Sequence, residues 1–151
     1  MKIFLATDHA GFSLKEQIKK FLIDQDYEVK DCGAFSFEKD DDYPNFIAKA
    51  AESVSQDQDA KGIVFGKSGT GEEIVANKIQ NIRAFTGVDE ENVRLAREHN
   101  DANVLSLGSE FVDLEKAKRF VKIFLNTPFS KEPRHQRRLN EIAEIEKKEV
   151  A

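Results

Sequence analysis

The stretch Gly62 to Lys78, GIVFGKSGTGEEIVANK, leaves a chain few ways to fold. Ile63-Val64-Phe65 is a short apolar run with the look of a strand buried on both faces. Gly66-Lys67-Ser68-Gly69-Thr70-Gly71 follows as a turn whose glycines let backbone approach a ligand with no Cβ in the way. Glu72 to Lys78 then begins a helix, with Glu72 and Glu73 in the first turn, where the macrodipole favours negative charge. A strand, a glycine loop and a helix N-terminus together offer backbone N–H groups to an anion. The anion is either a bound phosphate or an oxyanion that forms during a reaction. The bland alternative is a tight βα turn with no ligand.

Spacing rejects two nucleotide motifs. Gly66-Lys67-Ser68 copies the end of a Walker A loop, but that pattern needs Gly where Lys61 stands. A dinucleotide fingerprint from Gly69-x-Gly71 needs Gly or Ala at Ile74. A nucleophile elbow around Ser68 fails as well, because Thr70 occupies the second glycine position; Ser68 reads as a loop hydroxyl.

With 151 residues the chain reads as one domain spanning 1–151. Its net charge of −5 argues against nucleic acid and anionic membrane as partners. The lone Cys32 excludes an internal disulfide and reads as a half-buried small residue. The start MKIFLATDHA is no signal peptide and no window is apolar enough to span a membrane, so the expected location is cytoplasmic.

Strands alternate with helices along the whole chain. Lys2 to Ala6 reads as a strand, and Asp8 and His9 fall in its exit loop. Ser13 opens a helix with Glu16 three residues on, a capping box. Tyr27 to Val29 closes the first βαβ unit. Residues 36 to 42, SFEKDDD, form an acidic segment, read as a solvated loop favouring the next helix N-terminus rather than as a metal site. Pro44 suits the first turn of that helix, which runs to about Ser55. Further strands are expected at Ala84–Val88 and Asn103–Leu107, and helices at Glu90–His99, Leu114–Leu125 and about 131–148. The sum is an α/β fold with a parallel sheet of about five strands and the common order 2-1-3-4-5.

Among the histidines, His99 is the best placed for acid/base work near neutral pH, since Asn100-Asp101 ends its helix. Arg134 and Arg138 lie four apart and share a helix face, so two guanidinium groups can fork onto a phosphate. The alternative is a solvated basic face paired with Glu141 and Glu144. No ligand spacing supports a metal.

Seven short motifs occur in order: Thr7-Asp8-His9-Ala10-Gly11, Asp31-Cys32-Gly33, Asp42-Tyr43-Pro44, Gly66-x-Ser68-Gly69-x-Gly71-Glu72, Ala76-Asn77-Lys78, Arg97-Glu98-His99-Asn100 and Arg134-His135-Gln136-x-Arg138. Together they resemble the type B ribose-5-phosphate isomerases, a family that also holds the galactose-6-phosphate isomerase subunits. The resemblance implies a Rossmann-like three-layer αβα sandwich. It implies aldose–ketose isomerisation of a phosphorylated sugar with no cofactor and no metal. It further implies a homodimer or dimer of dimers with shared sites, the last helix packing on or reaching into the partner.

By the same resemblance, His99 opens the sugar ring with Asp8 on the other side of the ring oxygen. His9, Tyr43 and Asn100 contact substrate, and Arg134 and Arg138 clamp the phosphate. Gly66 contacts substrate, and the loop of Lys67, Ser68, Gly69, Thr70 and Gly71 supplies donors to the enediolate oxygen. One branch of the family uses a Cys at the position of Gly66 as proton shuttle. The other places a Glu directly after the last loop glycine, here Glu72, which should be ionised at neutral pH. Two departures stand out: Glu110 replaces a common Arg, and Lys67 replaces a common Gly. Either Lys67 restores the missing positive charge, or the substrate is a sibling hexose or tetrose phosphate. A non-catalytic sugar-phosphate binding module is the rival reading from another class, and a hydrolase the weakest.

Overall fold

The computed structural model describes residues 1–150, with side chains through residue 148. Its elements run β1 (Lys2–Thr7), α1 (Phe12–Asp24), β2 (Glu28–Asp31), α2 (Tyr43–Ser55), β3 (Lys61–Gly66), α3 (Thr70–Ala76), β4 (Ala84–Thr86), α4 (Glu90–Asn100), β5 (Val104–Gly108), α5 (Leu114–Asn126) and α6 (Pro133–Val150). All strand pairs are parallel. Helices cover both faces of the sheet. Leu14 and Ile18 of α1, Val93 of α4 and Phe120 and Phe124 of α5 pack with Ile63 and Phe65 on one face. Ile47 and Ala51 of α2 and Ala76 of α3 pack with Val64 on the other. The alternation of Ile63, Val64 and Phe65 between two cores is what a doubly covered strand requires.

The strand order is β2-β1-β3-β5-β4, which corrects the expected 2-1-3-4-5. Burial explains the exchange. Every residue of β5 is buried, whereas β4 is only three residues long and half-buried throughout. The fully buried strand takes the inner place beside β3, and the short one forms the edge.

The capping box at Ser13 is absent. Gly11 is the N-cap of α1 and no side chain caps that end. A Cβ on Gly11 would lie 2.5 Å from Thr7 Oγ1 and 2.8 Å from the Gly66 nitrogen. The chain therefore crosses β3 at glycine and turns helical at once, with Ser13 already inside the first turn. Lys131 also falls outside α6, in the left-handed region at φ 60°. Pro133 opens that helix, as its fixed φ favours.

Candidate active site

Parallel strands aim their carboxyl ends one way, and β1 and β3 are neighbours at the centre of the sheet. Asp8 directly follows β1 and is buried, its Oδ1 accepting from the Ala10 amide at 3.0 Å. Gly66 ends β3 and Glu72 lies in the first turn of α3. A Cβ on Gly66 would overlap the Glu72 carboxylate. The carboxylate thus fills the space that a side chain at 66 would take.

Glu72 is 3% exposed, and its Oε2 has no hydrogen-bond partner among the described residues. Burial pushes its pKa above the ordinary glutamate range and the nearby Asp8 adds to the rise, while the amides of Glu72 and Gly69 pull the other way. The helix N-terminus, expected to keep this acid readily ionised, is outweighed by desolvation. Glu73 points elsewhere, its Oε2 accepting from Thr86 Oγ1 at 3.2 Å.

The loop between them is held from below. Gly69 sits at φ 85°, in the left-handed region that glycine tolerates. Its carbonyl accepts from Ser106 Oγ at 2.7 Å and Thr86 Oγ1 at 3.3 Å. Ser68 Oγ accepts from the Thr70 amide at 3.2 Å. Lys67, Ser68 and Thr70 are exposed. The Tyr43 hydroxyl stands 2.6 Å from where a Cβ on Gly71 would be, so Tyr43 closes over the loop's end.

His9 completes this half of the site. Asp41 Oδ1 lies 2.7 Å from its Nδ1 and accepts from its backbone amide at 2.9 Å. The hydrogen bond to Asp41 raises the His9 pKa, opposed by burial and helped by Asp8 and Asp40. Asp41 is the residue that sequence reasoning missed. The run Asp40-Asp41-Asp42 carried the signal, but nothing in it says which acid turns inward.

The other predicted residues lie at the opposite end of the sheet. α4 joins two parallel strands, so it runs back and leaves His99 and Asn100 near their amino ends. Asn103, three residues further on, donates to Arg83 and accepts from Gly62, the second residue of β3. From Gly62 to Gly66 the strand covers roughly 13 Å at about 3.3 Å per residue. There His99 stacks on the buried His135 with ring centroids 4.3 Å apart. The His135 pKa is lowered by burial and by His99, and its Nδ1 lies 2.6 Å from Ser130 Oγ.

Arg134 and Arg138 are exposed beside this pair. Arg134 bonds Glu132 at 3.1 Å and Arg138 has no ion pair among the described residues. The alternative pairing with Glu141 and Glu144 is not formed. A groove of about 720 Å³ also lies at this end, lined by Ile79, Phe85, Asn100, Ile142 and Ile145. One chain therefore carries two separate groups of the expected site residues. Asp8, His9, Tyr43, the loop 66–71 and Glu72 form one; His99, Asn100, Arg134 and Arg138 form the other.

Cys32 joins neither group. It is half-buried, and burial pushes its thiol pKa up.

Comparisons with known proteins agree with the motifs. A family described as ribose/galactose isomerase matches residues 3–142. Ribose-5-phosphate isomerase B of Mycolicibacterium paratuberculosis is 45% identical over 97% of this chain and 92% of its own length. The solved structure of ribose-5-phosphate isomerase B from Mycoplasma genitalium with bound ribulose-5-phosphate superposes with a TM-score of 0.93 at 38% identity, covering 97% of this chain and 96% of that one. The Clostridium thermocellum ribose-5-phosphate isomerase B also gives 0.93, at 42% identity over 98% and 99%. With the family match spanning residues 3–142 and relatives this similar along nearly their full length, the chain belongs to the ribose/galactose isomerase family.

Proposed function

We propose that this chain interconverts ribose 5-phosphate and ribulose 5-phosphate through a cis-enediolate, with Glu72 as proton shuttle. The observation that carries the reading is the Glu72 carboxylate. It is buried, has one oxygen without a partner, and sits at the carboxyl ends of the central strands beside Asp8. A general base needs a proton affinity near the working pH, and burial moves Glu72 in that direction. Glu72 takes the proton from C2 of the aldose and returns it to C1. The loop amides of residues 67–71 and the Ser68 hydroxyl hold the charge on the enediolate oxygen. His99 and Asp8 open the furanose ring, and Arg134 and Arg138 grip the phosphate.

These roles require the two groups of residues to meet, and the sheet keeps them apart within one chain. A second copy bringing His99, Asn100, Arg134 and Arg138 to the Glu72 end satisfies the requirement. The names of the similar proteins from M. paratuberculosis and M. genitalium support the pentose phosphate substrate. The test is turnover of purified protein with EDTA present on ribose 5-phosphate, allose 6-phosphate, galactose 6-phosphate and erythrose 4-phosphate. Conversion of ribose 5-phosphate ahead of the others is the expected result. Preference for another sugar would transfer the mechanism to that substrate. Tight binding without turnover would identify a binding module.

A further inference from the structure

We propose that Asp41 is a positioning residue for His9, holding its imidazole by Nδ1 so that Nε2 is presented to the sugar phosphate; this rests on the isomerase reading above. Asp41 belongs to the irregular segment between β2 and α2, where an aspartate is ordinarily solvated. Its side chain is nevertheless only 11% exposed, while Asp40 and Asp42 are exposed. One oxygen, Oδ1, grips the same residue twice, at the His9 amide and at Nδ1. That double contact fixes both the backbone and the ring of His9. It also fixes the tautomer, because a ring nitrogen facing a carboxylate carries the proton. Nε2 is then left without a carboxylate or carbonyl partner among the described residues, with a third of the side chain still open to solvent.

The second oxygen of Asp41 argues against a purely structural role. Oδ2 is buried with no partner among the described residues. An acid kept for stability alone would not leave a lone pair so placed. Phe37 adds a wall, meeting the His9 ring edge-on at 6.0 Å between centroids. The charged groups that face His9 are Asp41 and Asp40 from this segment and Asp8 from the end of β1. All three are acids. They favour an imidazolium whose Nε2–H is a charge-assisted donor to a substrate oxygen.

The experiment is a pH titration of ¹⁵N-histidine-labelled protein by NMR, with His9 assigned through a His9→Ala variant. In the parent protein His9 should show a bonded Nδ1–H and titrate above the ordinary histidine value. In Asp41→Asn, which keeps the shape and loses the charge, that titration should fall. In steady-state kinetics Asp41→Asn and Asp41→Ala should each lower kcat/KM by roughly 10–100-fold, the usual loss when a group orienting a site histidine is removed. In a His9→Ala background Asp41→Ala should then cost little more. An unmoved His9 titration, or an Asp41 effect as large without His9 as with it, would overturn the proposal. The titration needs no turnover, so a protein inactive on every sugar would count against the isomerase reading alone.

Discussion

The carbonyl of Lys67 accepts a hydrogen bond from the amide of Glu110 at 3.0 Å. The two departures from the family pattern are therefore neighbours, just past the ends of β3 and β5, which pair up to Gly66 and Gly108. Their side chains form no ion pair with each other among the described residues. Lys67 is exposed, with no ion pair among the described residues, and we propose that its ammonium meets the phosphate at the place where the family's Arg is missing. Lys67→Gly should raise KM for the phosphorylated sugar by roughly 10-fold or more, as removal of one close charge contact does. Tighter binding in that variant, measured by calorimetry, would count against Lys67 as the substitute.

Glu72→Gln should lower kcat by roughly 10²–10⁴-fold, the usual contribution of a positioned acid/base. Binding of ribose 5-phosphate should be nearly unchanged. A variant that keeps most of its turnover would remove Glu72 from the shuttle role.

The same residue sets a pH dependence. Its folded pKa is raised, so the acid limb of kcat/KM should lie above the ordinary glutamate range, with activity lost as pH falls through the folded value. Stability moves the other way. The native state binds this proton more tightly than the unfolded chain, so Glu72 weighs against folding at neutral pH, and that burden is relieved as pH falls through the same window. Glu72→Gln should therefore melt higher than the parent at pH 7, with the gap closing in acid. Urea or thermal melts at both pH values decide it.

Subunit mixing tests whether the site is shared between two copies. Glu72→Gln and His99→Ala chains should each be inactive alone. Co-refolded in equal amounts as a two-fold dimer, they should recover about a quarter of the parent activity, because half the dimers then hold one intact site. No recovery would mean that Glu72 and His99 do not work across a subunit boundary. Arg134→Ala should raise KM by an amount worth about 2–5 kcal/mol if its guanidinium is desolvated against the phosphate.

Lys15 is fully buried and reaches both oxygens of Asp31 at 2.7 and 2.8 Å and the Ala34 carbonyl at 2.7 Å. Asp31→Asn leaves that ammonium with Glu16 Oε2, at 3.4 Å, as its remaining carboxylate partner among the described residues, and should cost about 3–5 kcal/mol in urea denaturation. Although burial pushes the Asp31 pKa up, Lys15, the Gly33 amide and Lys19 together hold it below the ordinary value. Its contribution to stability is present above the ordinary aspartate range and is lost as pH falls through the folded pKa.

The α/β alternation was legible because each element carries its own period, as Ile63-Val64-Phe65 and the Phe120–Phe124 stripe show. The edge position of β4 was not, since strand order depends on burial summed over three-dimensional neighbours. Ser13 misled because local capping chemistry lost to the crossing of Gly11 over β3. Glu72 could be chosen over Glu73 from the family position alone; the coordinates add that Glu73 is taken by Thr86. Asp41 stayed hidden in a run of three acids whose inward member is selected by His9, thirty-two residues away in sequence.

At the end of β3 a Cβ at position 66 would meet the Glu72 carboxylate, the far end of a flexible side chain. By the family resemblance, a thiol base would enter this space from position 66, whereas Glu72 enters it from the first turn of α3. Any side chain installed at 66 must therefore displace that carboxylate from where it now rests.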